Sequence, residues 1–157
     1  MTIKLIVVGK TDEGYLRKGI DEYCSRLGHY CRFELVTVPP VKGAASLSAA
    51  QLKDREAELI LKAISPSDEC ILLDERGNEF TSKSWAQHLE RKLAHSSRNI
   101  VFVTGGSMGF GSKVYDRADS MMSLSKMTFS HQMVRLIFLE QLYRAFTIIE
   151  GEPYHHE

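Results

Sequence analysis

An α/β fold built on a mostly parallel sheet of five to six strands is predicted by three features of the sequence. Short apolar runs at residues 3–8, 70–73 and 100–103 have the composition of strands buried on both faces. Between them lie longer segments whose apolar residues recur every three or four positions, the period of a helix packed on one side. Polar or glycine-rich loops follow the apolar runs, which is where open α/β sheets bind ligands.

Residues 3–8 end at Gly9 and form the first strand. Thr11 or Asp12 is the expected N-cap of the helix that follows, because Leu16, Ile20, Tyr23 and Leu27 then recur at helical spacing up to Gly28. Residues 33–38 alternate, are rich in β-formers and stop at Pro39-Pro40, giving a second strand. Residues 41–50 are small and aperiodic and read as a mobile loop. It leads into an exposed helix where Leu52, Leu59, Ile60 and Ala63 sit among charges whose ordinary role is a solvated face. A third strand at 70–73 runs into a polar turn at 74–78. Ser82 or Ser84 starts a helix through Trp85, Leu89 and Leu93, and residues 100–103 are the fourth strand. A short helix at 112–117 and a fifth strand at 121–124 complete the alternation.

The 157 residues, 43% of them hydrophobic, suffice for one sizeable core, so the whole chain, 1–157, is read as a single domain. Twenty Lys and Arg balance twenty Asp and Glu, which leaves no general field to attract nucleic acid; RNA affinity has to come from a local patch or from the partner's shape. Cys24, Cys31 and Cys70 have neither disulfide-frame nor zinc spacing and read as reduced thiols. Only residues 5–8 are continuously apolar near the N-terminus, too few for a signal peptide core, and a cytoplasmic protein is expected.

Residues 104–111, Thr-Gly-Gly-Ser-Met-Gly-Phe-Gly, follow the fourth strand directly. Glycines let a ligand approach the main chain closely, and a plain tight turn has the same composition. Two phosphate motifs are excluded: P-loop spacing from Gly106 requires Lys where Ser112 stands, and dinucleotide spacing from Gly109 requires Gly where Val114 stands. Residues 132–150 contain no Gly or Pro and span roughly five helical turns. Their apolar positions exceed one core-facing stripe, so two sides of this helix need burial. The residues leave open a two-fold dimer seam or the central helix of a monomer. Arg135, Glu140, Gln141 and Arg144 break the apolar run far short of the roughly 20 residues that cross a bilayer, so no membrane association is expected.

Several motifs together resemble one family. Val-Thr-Gly-Gly-Ser-Met-Gly at 103–109, Leu-Ser-Lys-Met-Thr-Phe-Ser-His-Gln-Met-Val-Arg at 124–135, Glu-Gln-Leu-Tyr-Arg-Ala-Phe at 140–146 and the ending Pro-Tyr-His-His are similar to the RlmH family, the ribosomal large-subunit pseudouridine-N3 methyltransferases of the SPOUT superfamily. The similarity spans essentially the whole chain. It implies a deep C-terminal trefoil knot, a homodimer, and S-adenosyl-L-methionine as cosubstrate with no metal. The implied substrate is a pseudouridine in the intersubunit helix of 23S rRNA, methylated at N3 on assembled ribosomes. Family position assigns cofactor binding to Leu73, Gly105, Leu124, Ser125, Lys126, Met127, Thr128 and Phe129.

The imide N3–H must be lost and the developing anion stabilised, which calls for a nearby cation or hydrogen-bond donor and a base. Arg144, Arg135, His131, Tyr154 and His155 are the catalytic candidates, His155 as base because its ordinary pKa lies near neutrality. Glu140 precedes Arg144 by four residues, so a structural ion pair competes with a catalytic role there. Two rival readings are a SPOUT-type tRNA methyltransferase and a non-catalytic dimer that binds S-adenosylmethionine. Ser130 stands where the family usually has Pro before His131; both suit a helix start, one by capping and the other by its fixed φ. Ser130→Pro is therefore expected to leave cofactor affinity unchanged or modestly improved in calorimetric titration. A large loss would show that the loop is built differently.

Overall fold

The computed structural model describes residues 1–156. Strands β1 (Thr2–Val8), β2 (Arg32–Val38), β3 (Glu69–Glu79), β4 (Ile100–Val103) and β5 (Ser120–Ser123) form one five-stranded sheet in the order β2-β1-β4-β3-β5. Every neighbouring pair is parallel. Between and after them run helices α1 (Gly14–Leu27), α2 (Ala49–Lys62), α3 (Ser82–His95), α4 (Ser112–Arg117) and α5 (Met133–Ile149).

Alternation along the strands feeds two cores. Ile3, Leu5, Val7, Ile71 and Phe102 face α1, α3 and α5, whereas Ile6, Val8, Leu72, Val101 and Val103 face α2 and α4. Both faces of the central strands are thus buried, as their apolar runs require. Trp85 meets Phe102 and Phe138 edge-on in the first core, and Phe102 and Phe138 lie tilted with centroids 4.7 Å apart.

Several local expectations are corrected. Neither Thr11 nor Asp12 caps α1: Glu13 is at the N-cap and no side chain caps it. Both residues are engaged by α5 instead. The Asp12 N–H donates to Gln132 Oε1 at 2.9 Å, and Thr11 Oγ1 accepts from Arg135 at 2.9 Å. Helix α3 is capped by Thr81 through a reciprocal pair of bonds with Ser84. The loop at 41–50 contains a short 3₁₀ turn, Ala44–Ser46, before Ser48 and Gln51 box the start of α2. That helix is not a merely solvated element, since it buries Glu56, Ala57 and Ile60.

The largest correction concerns β3. Residues 74–78 are not a turn that leaves the sheet. Leu73 and Asn78 both register with Met122, and the chain bulges between them before Glu79 pairs with Ser123. Gly77 makes this return possible: a Cβ there would lie 2.6 Å from the backbone of both Met121 and Met122. Because backbone on both sides must move, Gly77→Ala is expected to cost about 3 kcal/mol of stability. Urea unfolding of the purified variant measures this, and an unchanged midpoint would refute the close approach.

Candidate active site

A cleft of about 440 Å³ opens beside the bulge of β3 and past the ends of β4 and β5. Its three walls are Leu73, Asp74 and Glu75 from the bulged part of β3, residues 104–110 after β4, and residues 124, 125 and 127–131 on the way from β5 to α5. The glycine turn folds back on itself. The Gly109 N–H donates to the Gly106 carbonyl at 3.1 Å, Gly109 has φ +83°, and a Cβ on Gly105 would sit 3.2 Å from the Gly109 backbone. Ser123 Oγ donates to the Ser125 carbonyl at 2.8 Å and the Met127 N–H donates to Ser125 Oγ at 3.0 Å, which curls the opposite wall. Ser130 Oγ then accepts from the Met133 N–H at 3.1 Å, so Ser130 does cap the entry to α5.

All the cofactor-binding candidates line this cleft except Lys126, whose side chain is 82% exposed and ion-paired with Glu79. Leu124, Met127, Phe129 and Leu73 give apolar walls, and the bare main chain of the glycine turn gives hydrogen-bonding groups. The size lies within the roughly 300–1,000 Å³ of small-molecule sites. This donor set fits an adenosine-bearing ligand with an apolar-flanked sulfonium. Among the described residues no cluster of three or more His, Cys, Asp or Glu is placed to hold a metal ion. His131 borders the same cleft, and burial, followed by the nearby Arg135 charge, holds its imidazole below its ordinary pKa against a weaker pull from Asp12.

The other catalytic candidates divide. Arg135 is 1% exposed and donates to the Val8 carbonyl at 2.7 Å, the Gly9 carbonyl at 3.0 Å and Thr11 Oγ1, so its guanidinium is committed to the end of β1. Arg144, Tyr154 and His155 meet at the far end of α5. Arg144 donates to Glu140 Oε1 at 2.5 Å, lies 3.0 Å from His155 Nδ1 and stacks over the Tyr154 ring at 4.9 Å. The Tyr154 hydroxyl donates to the same Glu140 oxygen at 3.1 Å and meets the Tyr23 hydroxyl at 3.1 Å. Burial, the Tyr23 hydroxyl and the Glu140 charge all push the Tyr154 phenol up, so it stays a hydrogen-bond donor. At about 1.5 Å per residue, Arg144 lies roughly 15 Å along the helix from Val134 at the cleft. Within one chain the two groups of candidates do not form one site.

A family described as predicted SPOUT methyltransferase matches residues 1–155. The chain is 55% identical to the ribosomal RNA large subunit methyltransferase H of Parabacteroides distasonis, with all of both chains covered. It is 51% identical to the protein of the same name from Christiangramia forsetii over 99% of each chain. The chain belongs to this family of SPOUT methyltransferases. Two solved structures share the fold at low identity. A probable methyltransferase from Bordetella pertussis is 12% identical with a TM-score of 0.58, covering 92% of this chain and 93% of that one. A probable methylase family protein from Haemophilus influenzae is 14% identical with a TM-score of 0.53, covering 99% and 70%.

In this SPOUT methyltransferase the sequence reading missed one supporting cluster. Asp74 borders the cleft, accepts from the Tyr115 hydroxyl at 2.5 Å and the Arg76 N–H at 2.9 Å, and so holds the bulge of β3 against α4. A polar residue directly after an apolar strand was the available signal. Burial pushes the Asp74 carboxyl up, but the Tyr115 hydroxyl and Arg76 outweigh it and hold the group below its ordinary value. A depressed carboxyl contributes stability above its unfolded pKa and loses it as pH falls through the folded one. Tyr115→Phe is therefore expected to cost about 1–2 kcal/mol near neutrality, with the difference shrinking as Asp74 protonates. Urea unfolding at neutral pH and well below the ordinary aspartate range would check it. An equal loss at both would assign the effect to packing.

Proposed function

We propose that this chain transfers a methyl group from S-adenosylmethionine to N3 of a pseudouridine in the intersubunit helix of 23S rRNA, on the assembled ribosome. It acts in the cytoplasm as a homodimer of one SPOUT domain per chain, each knotted where residues 124–156 pass the preceding loops. The names of the full-length relatives support the rRNA substrate. The separation of cleft and tail along α5 supports the dimer: a site needing both is completed when a second copy brings its Arg144, Tyr154 and His155 to the first copy's cleft.

Bound S-adenosylmethionine supplies a methyl group already activated on a sulfonium. What remains for this chain is to align the acceptor, take the N3 proton and stabilise the anion that forms. Arg144 provides a fixed planar cation and Tyr154 a phenolic donor for the oxygens flanking N3. His155, beside Arg144, and His131, in the cleft, are the groups able to accept the proton. Arg135 acts as a structural anchor beneath the site. Leu73, Gly105 and residues 124–129 hold the cosubstrate, with Lys126 at the outer rim.

Transfer of labelled methyl to intact ribosomes, free large subunits, naked rRNA and tRNA, all from cells lacking the protein, tests the reading once the modified nucleotide is mapped. Label on a 23S pseudouridine, strongest with intact ribosomes, is the expected result; label on tRNA would overturn the substrate. Arg144→Ala and Tyr154→Ala are each expected to lower methyl transfer by roughly 10²-fold or more while sparing dimerisation and cofactor binding. Undiminished turnover would refute the assignment of the tail.

A further inference from the structure

Glu56 stands on α2 behind the glycine turn and plays no part in the chemistry above. It is 8% exposed, and its Oε1 is sealed from solvent with no hydrogen-bond partner among the described residues. Its position is specific. A Cβ on Gly106 would lie 2.8 Å from both carboxylate oxygens, so the carboxylate fills the place that any other residue at 106 would need. The packing is equally close one turn of α2 earlier, where a Cβ on Gly111 would lie 2.9 Å from the Lys53 carbonyl oxygen. Helix α2 therefore presses on the cleft loop at Gly106 and again at Gly111.

A carboxylate buried without full hydrogen bonding destabilises the state that holds it. Burial accordingly pushes the Glu56 carboxyl up. An apolar side chain would fill the same space without that cost, so a carboxylate here requires a state in which it is satisfied. The donors are at hand. The N–H groups of Gly106 and Ser107 lie on either side of the Cα whose added Cβ would meet the carboxylate, and rotation of the adjoining peptides, with release of the Gly109 N–H from the Gly106 carbonyl, would turn them toward it. Glycine at 106 leaves such a rotation sterically open.

We propose that Glu56 is a positioning residue for the cosubstrate. With the cleft filled, the glycine turn settles on α2, and the Gly106 and Ser107 N–H groups donate to the Glu56 carboxylate, fixing the turn's remaining groups toward the ligand. The cost carried by the free protein is recovered in the loaded one, so Glu56 raises affinity through the difference between the two states. The inference rests on the S-adenosylmethionine reading of the cleft.

Glu56→Gln and Glu56→Leu test it in the full-length protein, read by melting temperature without ligand, by calorimetric affinity for S-adenosylmethionine, and by amide exchange at residues 105–109 under saturating ligand. The free variants are expected to melt at or a few degrees above the wild type, and to bind roughly tenfold more weakly, more so for Leu than for Gln. The Gly106 and Ser107 amides, slowed in the loaded wild type, are expected to exchange faster in the loaded variants. Lowered melting with wild-type affinity would make Glu56 a packing element and overturn the proposal, as would unchanged exchange at those two amides. Failure of the wild type to bind S-adenosylmethionine would remove the cofactor reading itself, and this inference with it.

Discussion

The hydrogen bonds from Arg135 to the end of β1 tie the rest of the architecture together. A fully buried guanidinium needs partners for its donors, and here the Val8 and Gly9 carbonyls and Thr11 Oγ1 bond its two terminal nitrogens, while Nε has no hydrogen-bond partner among the described residues. Those carbonyls terminate a strand and have no helix of their own to bond to. The same bonds satisfy the carbonyls at the end of β1 and hold the two terminal nitrogens of a buried cation. Gln132 reinforces the junction by accepting from the Asp12 N–H and donating to its carboxylate. The first turn of α5 is fixed over the strand ends. Residues 124–131, spanning from β5 to that turn, are consequently held at both ends and form a defined wall of the cleft.

From that anchor the course of α5 follows from packing. Leu136 meets α1 where Gly19 leaves room, a Cβ there falling 3.0 Å from Leu136 Cδ1, while Phe138, Leu139 and Leu142 enter the core. Met133, Ile137 and Ile148 stay only partly covered. This is the second apolar side that the sequence predicts, and in the proposed dimer it is the surface against which the partner seats. A helix is stiff over this length, so the distance between its anchored end and Arg144 cannot close by flexing. Separation of the cleft from Arg144, Tyr154 and His155 is a property of the chain, and on the proposed reading it makes assembly a condition of the chemistry.

The strands were legible because their apolar runs have no competing reading, and the two cores follow from period-two alternation alone. Residues 74–79 were not, because Asp74, Glu75, Arg76, Gly77 and Asn78 carry turn chemistry while a long-range pairing with β5 draws them into the sheet. The start of α1 failed for a related reason: Thr11 and Asp12 are good caps, but tertiary partners on α5 claimed them. Arg135 illustrates a limit of reading charge from sequence. An arginine in a functional motif suggests a role in catalysis, and only burial reveals that its terminal nitrogens are spent on the end of β1 and on Thr11. The lining of the cleft was accessible through family position; composition gave no more than a glycine loop after a strand.

Charge balance acquires meaning when the ion pairs are placed. Glu22 with Arg26, Glu69 with Lys92, and Asp119 with Arg98 and Arg117 pair locally, so these cations project little field of their own. Arg144 is no exception, because Glu140 and the Tyr154 ring surround it in the single chain. A substrate reaching this cation has to compete with the Glu140 carboxylate, so a weakly held phosphate at a non-cognate site gains little. An anion developing on a base aligned with the methyl donor gains more, because there the charge appears in the transition state and not before. On the proposed reading, then, the zero net charge and the paired Arg144 serve the same end. Encounter is governed by the shape of a large assembled particle, and electrostatic stabilisation is kept for the reacting base.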